Sequence, residues 1–197
     1  MSGQASSPPR TDTPDVVVSP EVFLAMGREV LASQPFSILV GARLHALSPG
    51  QCELHLPVTP QLLQQHGFVH GGVLSYVADN ALTYAGGTAM RVPVVTSEFK
   101  INYLRPAVGE LLIARAQAVH HGRAQAVCRC DVFVVQAGTE KLCAVAQGTI
   151  AALPPRDGTA PAPDGGKGWE HVSPHSCAIY SLFDSCRRMI YLRLRPF

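Results

Sequence analysis

The spacing of apolar positions changes several times along the chain, and each change marks an element. In "SPEVFLAMGREVLAS", Val22, Phe23, Met26, Val30 and Leu31 recur at helical spacing behind Ser19, a capping residue type, and Pro20, which suits a first turn. That predicts a short leading helix. "FSILVGARLHALSPGQCELHLPVT" alternates on either side of Ser48-Pro49-Gly50, a turn tripeptide, which predicts a hairpin of two strands. From residue 70 to 88 the helical period returns, and it is expected to stop at Gly86-Gly87 because glycine commonly ends helices. "VPVVTSEFKINYLRP", "GELLIARAQAVHHG", "RAQAVCRCDVFVVQAG" and "EKLCAVAQGTIAAL" are β-branched or alternating and separated by turn signals, so four strands in an antiparallel meander are expected. Two strands, one long helix and four strands make an α+β layout in which an antiparallel sheet covers the helix.

The two ends read differently. Residues 1–18 are rich in Ser, Pro and Thr with almost nothing to bury, and are expected to be disordered, which leaves a domain at 19–153. At 154–197, "PPRDGTAPAPDGGKG" has the composition of a linker. The tail beyond it interleaves Arg187, Arg188, Arg193 and Arg195 with Met189, Ile190, Tyr191 and Leu192. Such a tail suits an anionic surface or a partner, or simply packs locally or stays disordered; no role is assigned to it.

Composition narrows the class. With 197 residues, 47% apolar and 15% charged, the chain can bury one proper core. A net charge of +2, with basic residues scattered singly through the body of the chain, is no nucleic-acid footprint. The start lacks a basic and apolar signal-peptide pattern, and no apolar run approaches the roughly 18 residues of a membrane span. A soluble, cytoplasmic protein is the expectation. None of the six cysteines, Cys52, Cys128, Cys130, Cys143, Cys177 and Cys186, forms a C-x-x-C pair. Reduced thiols fit best, with a disulfide or a metal site as the alternatives. Cys128 and Cys130, two apart in a strand, share one face.

Candidate chemistry gathers in "QQHGFVHGGVLSYVADNALTYAGG", residues 64–87. On a helix starting at Gly71, Leu74, Val77, Ala78, Ala81, Leu82 and Ala85 form an apolar arc. Ser75, Asp79 and Thr83 lie on one line at its edge, with Tyr76, Asn80 and Tyr84 on the next. A lone Asp on a helix can simply be solvated. Asp is nevertheless a poor mid-helix residue, and the small hydroxyl residues around it leave room for something to approach. Gly71-Gly72 would present free backbone N–H groups at the positive helix end without side chains in the way, a site suited to an oxyanion. His70 can cap or steer the loop, and Gln64 and His66 add polar groups.

An "HGG" at a helix start with an acid nine residues after the His, together with "F-x-x-N-Y-L-R-P" at Phe99 to Pro106, resembles the hotdog-fold acyl-CoA thioesterases of the PaaI (phenylacetyl-CoA thioesterase) type, relatives of the 4-hydroxybenzoyl-CoA thioesterases. The resemblance spans about residues 20 to 152. It implies a hotdog fold, an antiparallel sheet wrapped around one central helix, and hydrolysis of an aryl- or medium-chain acyl-CoA to free acid and CoA by a homodimer or a dimer of dimers. By resemblance Asp79 is the nucleophile or general base, and the Gly71 N–H, with Gly72 beside it, polarises the thioester carbonyl. His70 belongs to the same motif. Gln64, six residues before it, holds the site; members pair Asn with Asp or Gln with Glu, whereas this chain combines Gln64 with Asp79. Thr83 and Ser97 match positions that orient the water or the acid. Arg123, in the "HHGRAQ" turn, is the first choice for the CoA phosphates, ahead of Arg105. No cofactor is implied, since CoA is part of the substrate.

One consequence is geometric. Gly71 and Asp79 are eight residues apart, about 12 Å along a helix at 1.5 Å per residue. A nucleophile must approach to within about 3.5 Å of its carbonyl carbon. If both serve one thioester, they come from two copies of the chain, with helices antiparallel about a two-fold axis.

Other chemistries fit less well. His66 and His70 have the spacing of helical zinc ligands, but Gly67 lies between them and no third ligand is evident. No G-x-S-x-G nucleophile elbow is present. A non-catalytic acyl-CoA-binding hotdog protein is the alternative from another class, and Asp79 speaks against it. Phe36, Tyr76 and Tyr84 either line an acyl tunnel or fill the core.

Overall fold

The structure is a computed structural model that describes residues 19–154; the expectations for 1–18 and for the linker and arginine-bearing tail lie outside the described residues. The elements are α1 (Pro20–Ala32), α2 (Pro35–Val40), β1 (Arg43–Ser48), β2 (Gln51–Pro57), a 3-10 turn (Pro60–Leu62), α3 (Gly71–Met90), β3 (Val94–Tyr103), β4 (Leu111–His121), β5 (Gln125–Gln136) and β6 (Thr139–Ala152). Among the described residues, no helix is long and apolar enough to cross a membrane.

The leading helix forms as its sequence predicts. Ser19 accepts from the Val22 N–H at 3.4 Å, Pro20 opens the first turn, and Val30 and Leu31 are buried. The expected strand at its exit begins later than the pattern suggested. Residues 35–40 form α2, because Pro35 presets a helical φ and Gly41, at φ 77°, supplies the left-handed residue that ends the turn. Ser37 is drawn inward by Gln34 and Tyr76, at 2.6 and 2.7 Å. Phe36, Ile38 and Leu39 are left exposed.

Six antiparallel strands make one sheet in the order β1-β2-β4-β5-β6-β3. β4, β5 and β6 are the expected meander. β3 departs from it, pairing with β6 at the far edge instead of with β4. Alternation reports that a segment is a strand and which face is buried, but is silent about its neighbour. Here α3 carries the chain beneath the sheet, so the next strand joins the opposite side.

α3 packs against β2, β3, β4, β5 and β6 with its predicted apolar arc, and Leu74, Val77, Ala78, Ala81, Leu82 and Ala85 are all buried. The Tyr76, Asn80 and Tyr84 line is covered by α1 and α2. Tyr84 donates to the Gly27 carbonyl at 3.0 Å, and the Asn80 amide reaches Tyr76 at 3.0 Å and Gln34 at 3.3 Å. The helix does not stop at Gly86-Gly87. It continues to Met90, where Arg91 adopts a left-handed φ of 56° as the cap. Gly86 serves close approach instead: a Cβ there would sit 2.7 Å from the Cβ of Ile150 on β6.

Cys52, Cys128, Cys130 and Cys143 are free and buried. Burial pushes the Cys128 thiol up to about 11, and Cys143 reaches about 11 for the same main reason. These are protonated core thiols, as expected, and Cys177 and Cys186 lie outside the described residues.

Candidate active site

The loop ahead of α3 is held by its backbone. The Gln64 N–H donates to the Phe68 carbonyl at 2.8 Å, and the Gly67 N–H donates to the Gln64 carbonyl at 2.9 Å, with Gly67 at φ 78°. Val69 donates to Ala107 at 3.0 Å and His70 to Leu62 at 2.8 Å, so the two residues before the helix are tied to both flanks. His70 is the N-cap: its Nδ1 accepts from the Gly72 N–H at 2.9 Å, and its carbonyl accepts from Val73 and Leu74. The Gly71 N–H has no hydrogen-bond partner among the described residues. An unpaired donor at the positive end of a 20-residue helix favours an oxygen carrying negative charge. Gly71 lines an open cavity of about 440 Å³, together with Gln64, Phe68, Leu74, Tyr103 and Arg105, among others.

Two turns further along α3, Asp79 is half-buried, but its Oδ1 is fully shielded and has no hydrogen-bond partner among the described residues. Leaving a buried acceptor unpaired costs about 1–3 kcal/mol, and more for a charged group. The neighbouring groups do not relieve it. The Thr83 hydroxyl donates to the Asp79 backbone carbonyl at 2.8 Å; its only proton is then used, and the 2.9 Å contact with Thr96 is donated by Thr96. Ser97 is the extra residue of a bulge in β3, exposed, and donates to the Thr149 carbonyl at 2.9 Å.

Gln64, His70, Gly71 and Gly72 are therefore assembled around the start of α3, while Asp79 and Thr83 sit mid-helix beside β3. Arg123 is exposed in the β4–β5 turn, where Gln125 is paired with Ala151 and Ala152 with Val94. That is the sheet end near the C-terminus of α3, away from the same chain's Gly71. His66 is exposed, its ring 6.4 Å from that of Phe68. Among the described residues, the metal-ligand types that come together in a group are His45, Glu53 and His55 on the outer face of β1 and β2; neither His66 nor His70 belongs to it.

Sequence reasoning missed Tyr103, whose hydroxyl donates to the Gly71 carbonyl at 3.1 Å and meets Ser75 Oγ at 2.8 Å. It also missed Thr96, which a bulge turns toward Thr83. Both lie on β3, and only its pairing geometry brings them to the helix.

Comparison with known proteins decides the family. The chain is 32% identical to the acyl-coenzyme A thioesterase PaaI of Escherichia coli over 104 residues, covering 52% of this chain and 74% of that one. The pattern of the thioesterase superfamily matches residues 66–141. The chain belongs to the thioesterase superfamily. A thioesterase family protein from Silicibacter pomeroyi superposes with a TM-score of 0.64 at 38% identity, over 66% of this chain and 98% of its own. The 1,4-dihydroxy-2-naphthoyl-CoA hydrolase of Listeria monocytogenes is 26% identical over 57% of this chain and 90% of its own. This thioesterase is thus a thioester hydrolase with the hotdog fold. The superfamily match takes in His70, Gly71, Asp79 and Arg123 and begins two residues after Gln64.

Proposed function

We propose that this thioesterase hydrolyses the thioester of an aryl- or medium-chain acyl-CoA, at a site built from two copies of the chain. Gly71 of one copy donates its free N–H to the thioester carbonyl oxygen. Asp79 of the other copy approaches the carbonyl carbon. The observation that carries this reading is Asp79 Oδ1, shielded from water yet without a hydrogen-bond partner among the described residues, and about 12 Å from its own Gly71 by helix rise. A buried polar group left unpaired calls for an explanation, and a catalytic role shared with a second copy supplies one.

Further support comes from β3. It is an edge strand of ten residues, Val94–Tyr103, with Val95 48% exposed. A long unpaired edge is a template for a second copy. Two β3 edges joined about a two-fold axis would set two α3 helices antiparallel and bring each Asp79 toward the other copy's Gly71. The same operation would carry Arg123, at the α3 C-terminal end of its own sheet, toward that second site, where it would meet the CoA phosphates.

As the carbonyl is attacked, negative charge develops on its oxygen, where the Gly71 N–H and the helix dipole stabilise it. The carboxylate either attacks directly, giving an anhydride that water then cleaves, or takes a proton from an attacking water. Both routes consume one water and release a carboxylic acid and a thiol. CoA enters as part of the substrate, and the reaction calls for no other cofactor. The name of the Listeria relative supports an aryl acyl group.

The test is thiol release from a panel of acyl-CoAs by the wild type and by Asp79→Asn. Turnover of aryl-CoA by the wild type, lost in the variant while acyl-CoA is still bound, supports the reading. Binding without turnover by both proteins would leave a non-catalytic acyl-CoA binder and would sink it.

A further inference from the structure

The peptide joining Gly71 to Gly72 is held at both ends. Its N–H is given to His70 Nδ1 at 2.9 Å, and its carbonyl accepts from the Tyr103 hydroxyl at 3.1 Å. Counting protons removes the ambiguity in the third contact. A carbonyl can only accept, so the single phenolic proton lies on the Gly71 bond, and the 2.8 Å contact with Ser75 Oγ is donated by Ser75. A chain Ser75 to Tyr103 to Gly71 therefore runs across the first turn of α3. Ser75 stands one turn before Asp79 on the same helical line.

Two glycines in succession are the least restrained pair a chain can offer, because neither has a Cβ to narrow its dihedral choices. The Gly71 N–H belongs to the preceding peptide, whose carbonyl accepts from Val73 and Leu74; what a hold on the Gly71–Gly72 peptide restrains is the glycine hinge between the two planes, and with it the last freedom of that N–H. Tyr103 arrives from the end of β3, 32 residues after Gly71, and its ring lies 3.5 Å from where a Gly71 Cβ would be. It is 52% exposed, so filling the core does not account for it.

We propose that Tyr103 is a positioning residue for hydrolysis: with His70 it clamps the Gly71–Gly72 peptide and so fixes the direction of the free Gly71 N–H. The proposal rests on the reading of Gly71 as the oxyanion donor. Removing such a donor outright costs about 10²–10³ in kcat. Loosening its aim forfeits part of that.

Tyr103→Phe keeps the ring and removes only the hydroxyl. It is expected to lower kcat about tenfold, with KM and Tm close to wild type. The deciding comparison repeats Tyr103→Phe in a Gly71→Pro background, where the N–H is already gone. There the hydroxyl has nothing left to aim, and its removal should change kcat no further. An equal drop in both backgrounds, or a Tyr103→Phe protein with lowered Tm and unchanged kcat, overturns the proposal. If Gly71→Pro lowers kcat but Tyr103→Phe does not, the clamp is wrong and the oxyanion reading stands. If Gly71→Pro itself leaves kcat unchanged, both fall.

Discussion

Gly71→Pro isolates one hydrogen bond donor. Proline removes the N–H that has no partner among the described residues, and the local backbone accepts the ring. Gly71 opens α3, the position where proline is over-represented. His70 before it lies at φ −62°, ψ 136°, within the extended region required ahead of a proline. Tyr103 atoms lie 3.5 Å from the place of a Cβ, an ordinary contact. Restricting the unfolded chain at a compatible position stabilises by about 0.4–1 kcal/mol, so Tm should hold or rise slightly. Catalysis should behave differently. If the N–H stabilises the developing oxyanion, its loss raises the barrier by about 3–4 kcal/mol and cuts kcat about 10²–10³-fold. Thiol release under saturating acyl-CoA measures kcat, and a thermal melt checks the fold. Gly71→Ala, which retains the N–H, should remain far more active than the proline variant. A folded Gly71→Pro protein with kcat near wild type would refute the reasoning.

Other side chains carry expectations of their own. Asp79→Asn keeps the size of the side chain but cannot act as base or nucleophile, and kcat should fall at least about 10²-fold in thiol release, while a urea denaturation curve close to that of wild type shows that the fold is kept. Gly86→Ala forces a methyl against Ile150 and should destabilise by about 1–3 kcal/mol, measured the same way. On the outer face of the sheet, burial pushes the Glu53 carboxyl up, but hydrogen bonds from Arg115 and His55, at 2.9 and 2.7 Å, outweigh it and hold the group below its ordinary 4.5. Its contribution is therefore complete above pH 4.5 and is lost as pH falls through the lower folded value. Glu53→Gln should cost about 1 kcal/mol or less at pH 7, since Arg115 is partly exposed, and the gap from wild type should close in acid, as denaturation curves at both pH values would show.

Much of this could be read from the sequence because it is local. β5 alternates cleanly between turn signals and so marks the meander of β4, β5 and β6, and the H-G-G and Asp79 motif lies on a single helix, where spacing fixes relative placement. What escaped depended on tertiary partners. The glycines at 86 and 87 looked like a stop signal, but Gly86 admits Ile150 and Gly87 admits Val94, which no local pattern reveals. The run after Pro35 had a strand's apolarity and became α2 once Ser37 joined Gln34, Tyr76 and Asn80. β3 was found as a strand while its neighbour was not, and with the neighbour went the bulge at Ser97 and the arrival of Tyr103 over Gly71.

If one site draws on two copies of the chain, chains deficient in different halves of it should complement each other. Asp79→Asn and Gly71→Pro chains, each inactive as pure proteins, would be co-expressed with different tags and the mixed dimers recovered through both. Each mixed dimer has one site with an intact Gly71 and an intact partner Asp79, and one site lacking both. The account predicts that thiol release returns to about half the wild-type rate per dimer. Mixed dimers as inactive as their parents would contradict it.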